Sequence, residues 1–154
     1  MIGALPLTMD DLRLLARWAE ACATRALPVF EAHVPRDSRP REALAAARAF
    51  ADGAERSAAL RKAAWAASAA ARKAGDPGAI SAARAASAAA GSAYLHPIVT
   101  RHQLNHILAP AAYAAQALGA DETEIDRAIV SAPRAVRQLV AQLPPRSAGR
   151  TPLS

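Results

Sequence analysis

Aromatic side chains make up only 4% of this 154-residue chain, cysteine occurs once, and no run of 18 or more apolar residues is found anywhere. Each scarcity closes an option. Without a long apolar run there is no transmembrane helix to expect, and no basic leader followed by an apolar stretch opens the chain, so neither export nor a membrane span is read here. The single Cys22 has no partner for an internal disulfide, and its place beside Trp18 on a helical pattern reads as a small buried hydrophobe in a reducing, cytoplasmic compartment. β-Branched residues are few, and no strand is predicted.

What is abundant is alanine, at about 45 positions, within a hydrophobic share of 53%. Alanine has the highest helix propensity of all residues, so the local preference is helical nearly throughout. Small side chains also let helices approach toward the lower end of the usual interaxial range of about 8–10 Å. Packing then falls to a few large residues: Trp18, Phe30, Phe50, Leu60, Trp65, Leu104, Ile107 and Leu108. The length suits a single domain that buries about two thirds of its unfolded surface. The expected fold is all-α, a single-domain orthogonal bundle of six to seven helices over residues 1–143, with a flexible C-terminal tail over 144–154.

Start and stop signals divide the chain. The first helix opens at Thr8 with Asp10 and Asp11 in its first turn and runs to about Arg25. Pro28 interrupts, and a short helical piece, Val29 to Ala32, leads into the loop His33 to Ser38. A helix from Arg39-Pro40 to Asp52 stops at Gly53, and another spans Ala54 to Ala74. Asp76-Pro77 caps a helix to about Gly91. After Tyr94-Leu95-His96-Pro97 comes a helix over Ile98 to Leu118 with Pro110 as a kink point. Asp121 with Glu124 reads as a capping box for a helix to Ser131, and Pro133 opens the last, to about Leu143.

The net charge is +6 and the sequence pI about 10.7. The 19 basic residues are spread over every helix among 13 acidic ones. No alternation of aromatic and basic residues and no binding motif accompanies them, so they read as solvated faces and no nucleic-acid partner is expected.

The scarce ring-bearing side chains gather between Tyr94 and Tyr113, where three of the four histidines lie. His102, His106, Ala109, Tyr113 and Gln116 share one stripe of a straight helix, while Leu104, Ile107, Leu108, Ala111 and Leu118 face the other way. His102 and His106 have the i,i+4 spacing that suits a metal, but neither Cys nor Glu joins them, a third ligand would have to be His96 or His33, and no metal or cofactor is expected. His96, held extended by Pro97, suits a proton-transfer group or a ligand contact, and equally a helix cap. A second constellation is Asp37-Ser38-Arg39-Pro40-Arg41. Arginines in a first helical turn oppose the dipole, so an anion should answer them, either Asp37 or Glu42 locally or an acidic partner or ligand. Trp65, set among alanines, reads as a core anchor or as the wall of a pocket.

These segments resemble a known family, the alanine-rich helical immunity proteins of bacterial polymorphic toxin systems, similar to the fifth numbered immunity family. The matching stretches are Leu12 to Ala19 with Cys22, Leu27-Pro28-Val29-Phe30-Glu31, Asp37-Ser38-Arg39-Pro40-Arg41 with Ala46 to Phe50, Leu60 to Ala67, and Tyr94-Leu95-His96-Pro97 leading to Gln103, His106-Ile107-Leu108 and Ala111-Ala112-Tyr113. They cover about residues 10 to 118, and the Asp-x-Arg-Pro-Arg and Tyr-Leu-His-Pro elements are the specific ones. The resemblance implies an all-helical fold and neutralisation of a bacterial toxin by binding. Many such proteins are acidic, to mask basic nucleases, whereas this chain is basic, which favours an acidic or membrane-acting toxin.

Two functions follow as expectations. In a toxin-binding protein, Arg39, Arg41, Trp65, Tyr94, Gln103, His102 and Tyr113 contact the partner. In a small all-helical enzyme of natural-product metabolism, His96 and His106 are acid and base, Asp37 orients one of them, and the same contact residues hold a small anionic or aromatic ligand. A homodimer is left open. Both readings rest on one spatial expectation, that the loop arginines and the imidazoles share a single concave surface.

Overall fold

The structure, a computed structural model, describes residues 7–95 and 101–141, with the backbone alone for Arg101 and His102. Eight α-helices are present among the described residues and no strand. They are α1 (Met9–Thr24), α2 (Leu27–His33), α3 (Arg39–Ala51), α4 (Ala58–Lys73), α5 (Pro77–Gly91), α6 (Arg101–Ala117), α7 (Glu122–Val130) and α8 (Arg134–Ala141), with a 3-10 turn, Ser92–Tyr94, after α5. The count exceeds the expected six to seven because the piece after Pro28 is a helix in its own right. Pro28 sits in its first turn, where the missing N–H costs no helical bond.

Local signals place most boundaries. Thr8 and Asp11 form a reciprocal capping box, the Thr8 hydroxyl accepting from the Asp11 amide at 3.1 Å and the Asp11 carboxylate from the Thr8 amide at 3.0 Å. Asp76 Oδ2 accepts the Ala79 amide at 2.9 Å ahead of Pro77, as its sequence signature required. Two expectations are corrected. Asp121 caps α7 by accepting from the Thr123 amide at 3.0 Å, while Glu124 is drawn into ion pairs with Arg127 (2.9 Å) and Arg25 (3.6 Å) and does not close a capping box. Helix α4 starts at Ala58, with Ser57 accepting from the Leu60 amide at 3.3 Å, and not at Ala54.

That late start has a tertiary cause. Gly53 has φ 118°, a left-handed conformation, and the Ala54 amide closes back on the Ala49 carbonyl at 2.9 Å. Arg13 of α1 then donates to the carbonyls of Phe50 and, at 2.9 Å, Ala54, with its guanidinium 4.7 Å from the Phe50 ring centroid. Arg17 donates to the Ala51 carbonyl and to Asp52. Carbonyls left over at the end of α3 are thus satisfied from α1, and the turn to α4 is fixed.

Helix α5 is the centre. It packs against α1, α2, α3, α4 and α6, and Ala79, Ala82, Ala83, Ala85, Ala86, Ala89 and Ala90 are all buried. A helix that is nearly all methyl groups offers a thin cylinder on which neighbours close, and the large side chains come from them: Leu15, Trp18, Phe30, Phe50, Leu60, Leu104 and Ile107 are buried around it. Helix α6 continues through Pro110 with Leu104, Ile107, Leu108 and Ala111 buried as expected. Leu118 is 42% exposed because the helix ends one residue before it.

Candidate functional site

At one end of the molecule, the loop between α2 and α3 holds Asp37. Its carboxylate accepts from Arg39 Nε at 2.9 Å, from Arg39 Nη2 at 2.6 Å and from the Arg39 amide at 3.1 Å. Arg41 makes a second bidentate pair, Nε and Nη2 donating to Glu31 of α2 at 2.8 and 2.5 Å. Both first-turn arginines are therefore answered within the chain, Arg39 by Asp37 and Arg41 by Glu31, a residue ten positions back, and not by Glu42. The hydrogen bonds from Arg39 hold the Asp37 carboxyl below its ordinary value, and those from Arg41 do the same for Glu31. A carboxylate so stabilised is a weak proton acceptor.

Tyr94 marks the other end. Its hydroxyl donates to the carbonyl of Ser57, the cap of α4, and Arg61 lies over its ring at 4.4 Å from the centroid. Arg56 Nη1 donates to the Ala93 carbonyl at 3.3 Å. On one side of Tyr94 a shallow depression of about 710 Å³ is lined by Arg56, Ser57, Arg61, Lys62 and Trp65 together with small alanines. On its other side a smaller hollow of about 330 Å³ is lined by Ser92, Leu95, Gln103 and His106 among others. Tyr94 belongs to both.

The two ends do not meet. Lys73, the last residue of α4, is near enough to Asp37 to stabilise its charge, whereas Ser57 at the start of α4 receives the Tyr94 hydroxyl. Sixteen helical residues separate them, roughly 24 Å at 1.5 Å per residue. The expected common concave surface is therefore replaced by two separate regions, and Asp37 is not placed to orient His106. His33 also belongs to the Asp37 end, with Nδ1 2.9 Å from the Val29 carbonyl and Nε2 3.5 Å from Asp76, so it cannot share a ligand set with His106. Among the described residues no group of three or more His, Cys, Asp or Glu is placed to hold a metal ion. No helix among them is long and apolar enough to cross a membrane.

Of the residues singled out by sequence, Tyr94, Gln103 and His106 are brought together around the smaller hollow, with Trp65 just beyond Tyr94. Tyr113 is half-buried with Arg84 6.0 Å over its ring. His96 and the side chain of His102 lie outside the described residues. Trp65 as a core anchor is corrected: it is 66% exposed, because the buried stripe of α4 runs through Leu60, Ala64, Ala67 and Ala71 and residue 65 is turned at least 100° from each of them. Arg56, Arg61 and Lys62 carry no motif that singles them out in the sequence. The same helical wheel that puts Trp65 outward puts Arg61 and Lys62 beside it, a signal masked by the alanines on every side.

Cys22 is half-buried on α1, and burial pushes its thiol up to about 11, partly offset by Arg25. It is no candidate nucleophile.

No curated protein and no solved structure is similar enough to match this chain. A family model does match, over residues 5–144, and the family it describes is the Imm-5 like putative immunity protein. Spanning nearly the whole chain, from before α1 to beyond α8, that match makes this protein a member of the Imm-5 like immunity family.

Proposed function

We propose that this protein neutralises a bacterial toxin by binding it. The observation that carries the reading is membership of an immunity family, and the described chemistry-bearing side chains, dispersed over a well-packed helical body, suit it. Asp37 is committed to Arg39 at one end, and His106 lies on an exposed helix face at the other. Catalysis asks for acid, base and charge-stabilising donors around one reacting atom. Binding asks only for a stable surface with anchors in place, and an alanine-packed bundle provides a stiff one, since close-packed interiors deform little.

The test is protection. When the products of the genes flanking this protein's own are expressed one by one in a sensitive bacterial host, co-expression of this chain is expected to restore growth against one that is toxic, and the two purified proteins are expected to elute as one complex. Toxicity undiminished by this chain, with the proteins eluting apart, would overturn the reading.

A further inference from the structure

We infer that the partner docks on the N-terminal half of α4, and that its contact surface is an acidic protein face carrying an apolar socket for Trp65. The inference rests on the toxin-binding reading and adds where the contact lies and what chemistry it takes.

Trp65 is 66% exposed, the largest side chain of the protein in solvent. Tryptophan, arginine and tyrosine are the residue types that most often carry binding energy at protein interfaces, and here all three stand together. The depression beside the indole is lined by the methyl groups of Ala58 and Ala59 and by three cations, Arg56, Arg61 and Lys62. None of these three cations is in an ion pair among the described residues, and no described carboxylate lines the depression. At the opposite end the first-turn arginines of α3, Arg39 and Arg41, are neutralised by Asp37 and Glu31. Two of the cations lining the depression are also held in place before any partner arrives, Arg61 on the Tyr94 ring and Arg56 on the Ala93 carbonyl, which reduces the ordering cost of binding.

Charge decides among occupants. A second copy meeting this face across a two-fold axis would set Arg61 and Lys62 against their own images, which repel. A nucleic acid strand needs cations tracking its backbone over many phosphates, whereas here three line one depression. An acidic protein face with a recess for an indole satisfies both the cations and the exposed ring.

The test uses the full chain, an Arg61→Glu/Lys62→Glu variant, a Trp65→Ala variant and an Arg134→Glu/Arg137→Glu control on α8. All substituted side chains are exposed, and matching thermal melts establish that each variant folds. Affinity for the neighbouring toxin is measured by calorimetry, and affinity for poly-L-glutamate and for a 20-base-pair DNA duplex by Trp65 fluorescence. The α4 variants are expected to bind the toxin at least about tenfold more weakly, with the control unchanged. Poly-L-glutamate is expected to shift the Trp65 emission in the native chain and not in the charge-reversed one. Toxin binding unaffected by the α4 variants overturns the docking face while leaving neutralisation intact. Poly-L-glutamate binding through α4 without any toxin binding has the reverse meaning. A duplex bound more tightly than poly-L-glutamate at physiological salt, or self-association lost on Trp65→Ala, overturns the acidic protein partner.

Discussion

Asp37 and Arg39 form the best-supported ion pair of the surface, bidentate and half-buried, with a further bond to the Arg39 amide. Because its folded-state titration lies below the unfolded value of about 3.9, the pair stabilises the fold above that pH, and the contribution disappears as pH falls through the lower, folded-state value. Asp37→Asn is expected to lower stability by about 0.5–1 kcal/mol in urea melts at pH 7, the modest figure suiting a partly solvated pair. The difference between native and variant should shrink as pH falls below the ordinary carboxylate range. Cys22 gives a second expectation. With its thiol near 11 and half-buried, native protein at pH 8 should react with iodoacetamide roughly two orders of magnitude more slowly than an ordinary cysteine, and at the ordinary rate once unfolded. The two tryptophans separate cleanly as well, Trp18 being buried with its indole N–H on the Ala128 carbonyl at 2.9 Å and Trp65 in solvent. Trp65→Phe should therefore leave a blue-shifted emission that acrylamide barely quenches.

Helix α5 is where alanine matters most. Its seven buried alanines set how closely five neighbouring helices approach, so a larger side chain has nowhere to go. Ala86→Leu is expected to cost about 1–3 kcal/mol by overpacking, read from the denaturation midpoint, while Ala88→Leu on the half-exposed side should cost much less. Most helices were legible from their ends: the Thr8 start with its first-turn carboxylates, the Asp76-Pro77 start and the Gly53 stop are local chemistry that survives any tertiary arrangement. The start of α4 was not, since Arg13 and Arg17 reach across from α1 to take carbonyls that no local pattern assigns. Arg41 is the same lesson at the candidate site. A first-turn arginine announces a need for an anion, but Glu31 becomes its partner only through the way α2 packs beside α3.

The body as a whole is uneven in its support. Helices α1 to α6 share one core to which α8 adds only Val136 and Leu139, whereas Ile125 of α7 belongs to a small satellite cluster, and the larger contacts of α7 and α8 are with α6 and with each other. Amide exchange is expected to follow that division, with α7 and α8 opening at lower free energy than α5. Equal protection in α5 and α8 would contradict it. An all-helical fold and its capped ends were inscribed in the chain, because propensity and capping act between near neighbours. Which helix lies at the centre, which face of α4 is turned to solvent, and the separation of Asp37 from His106 came from the assembled bundle. Helices apolar on nearly every side carry little information about their own rotation, and only the few large residues packing together fix it.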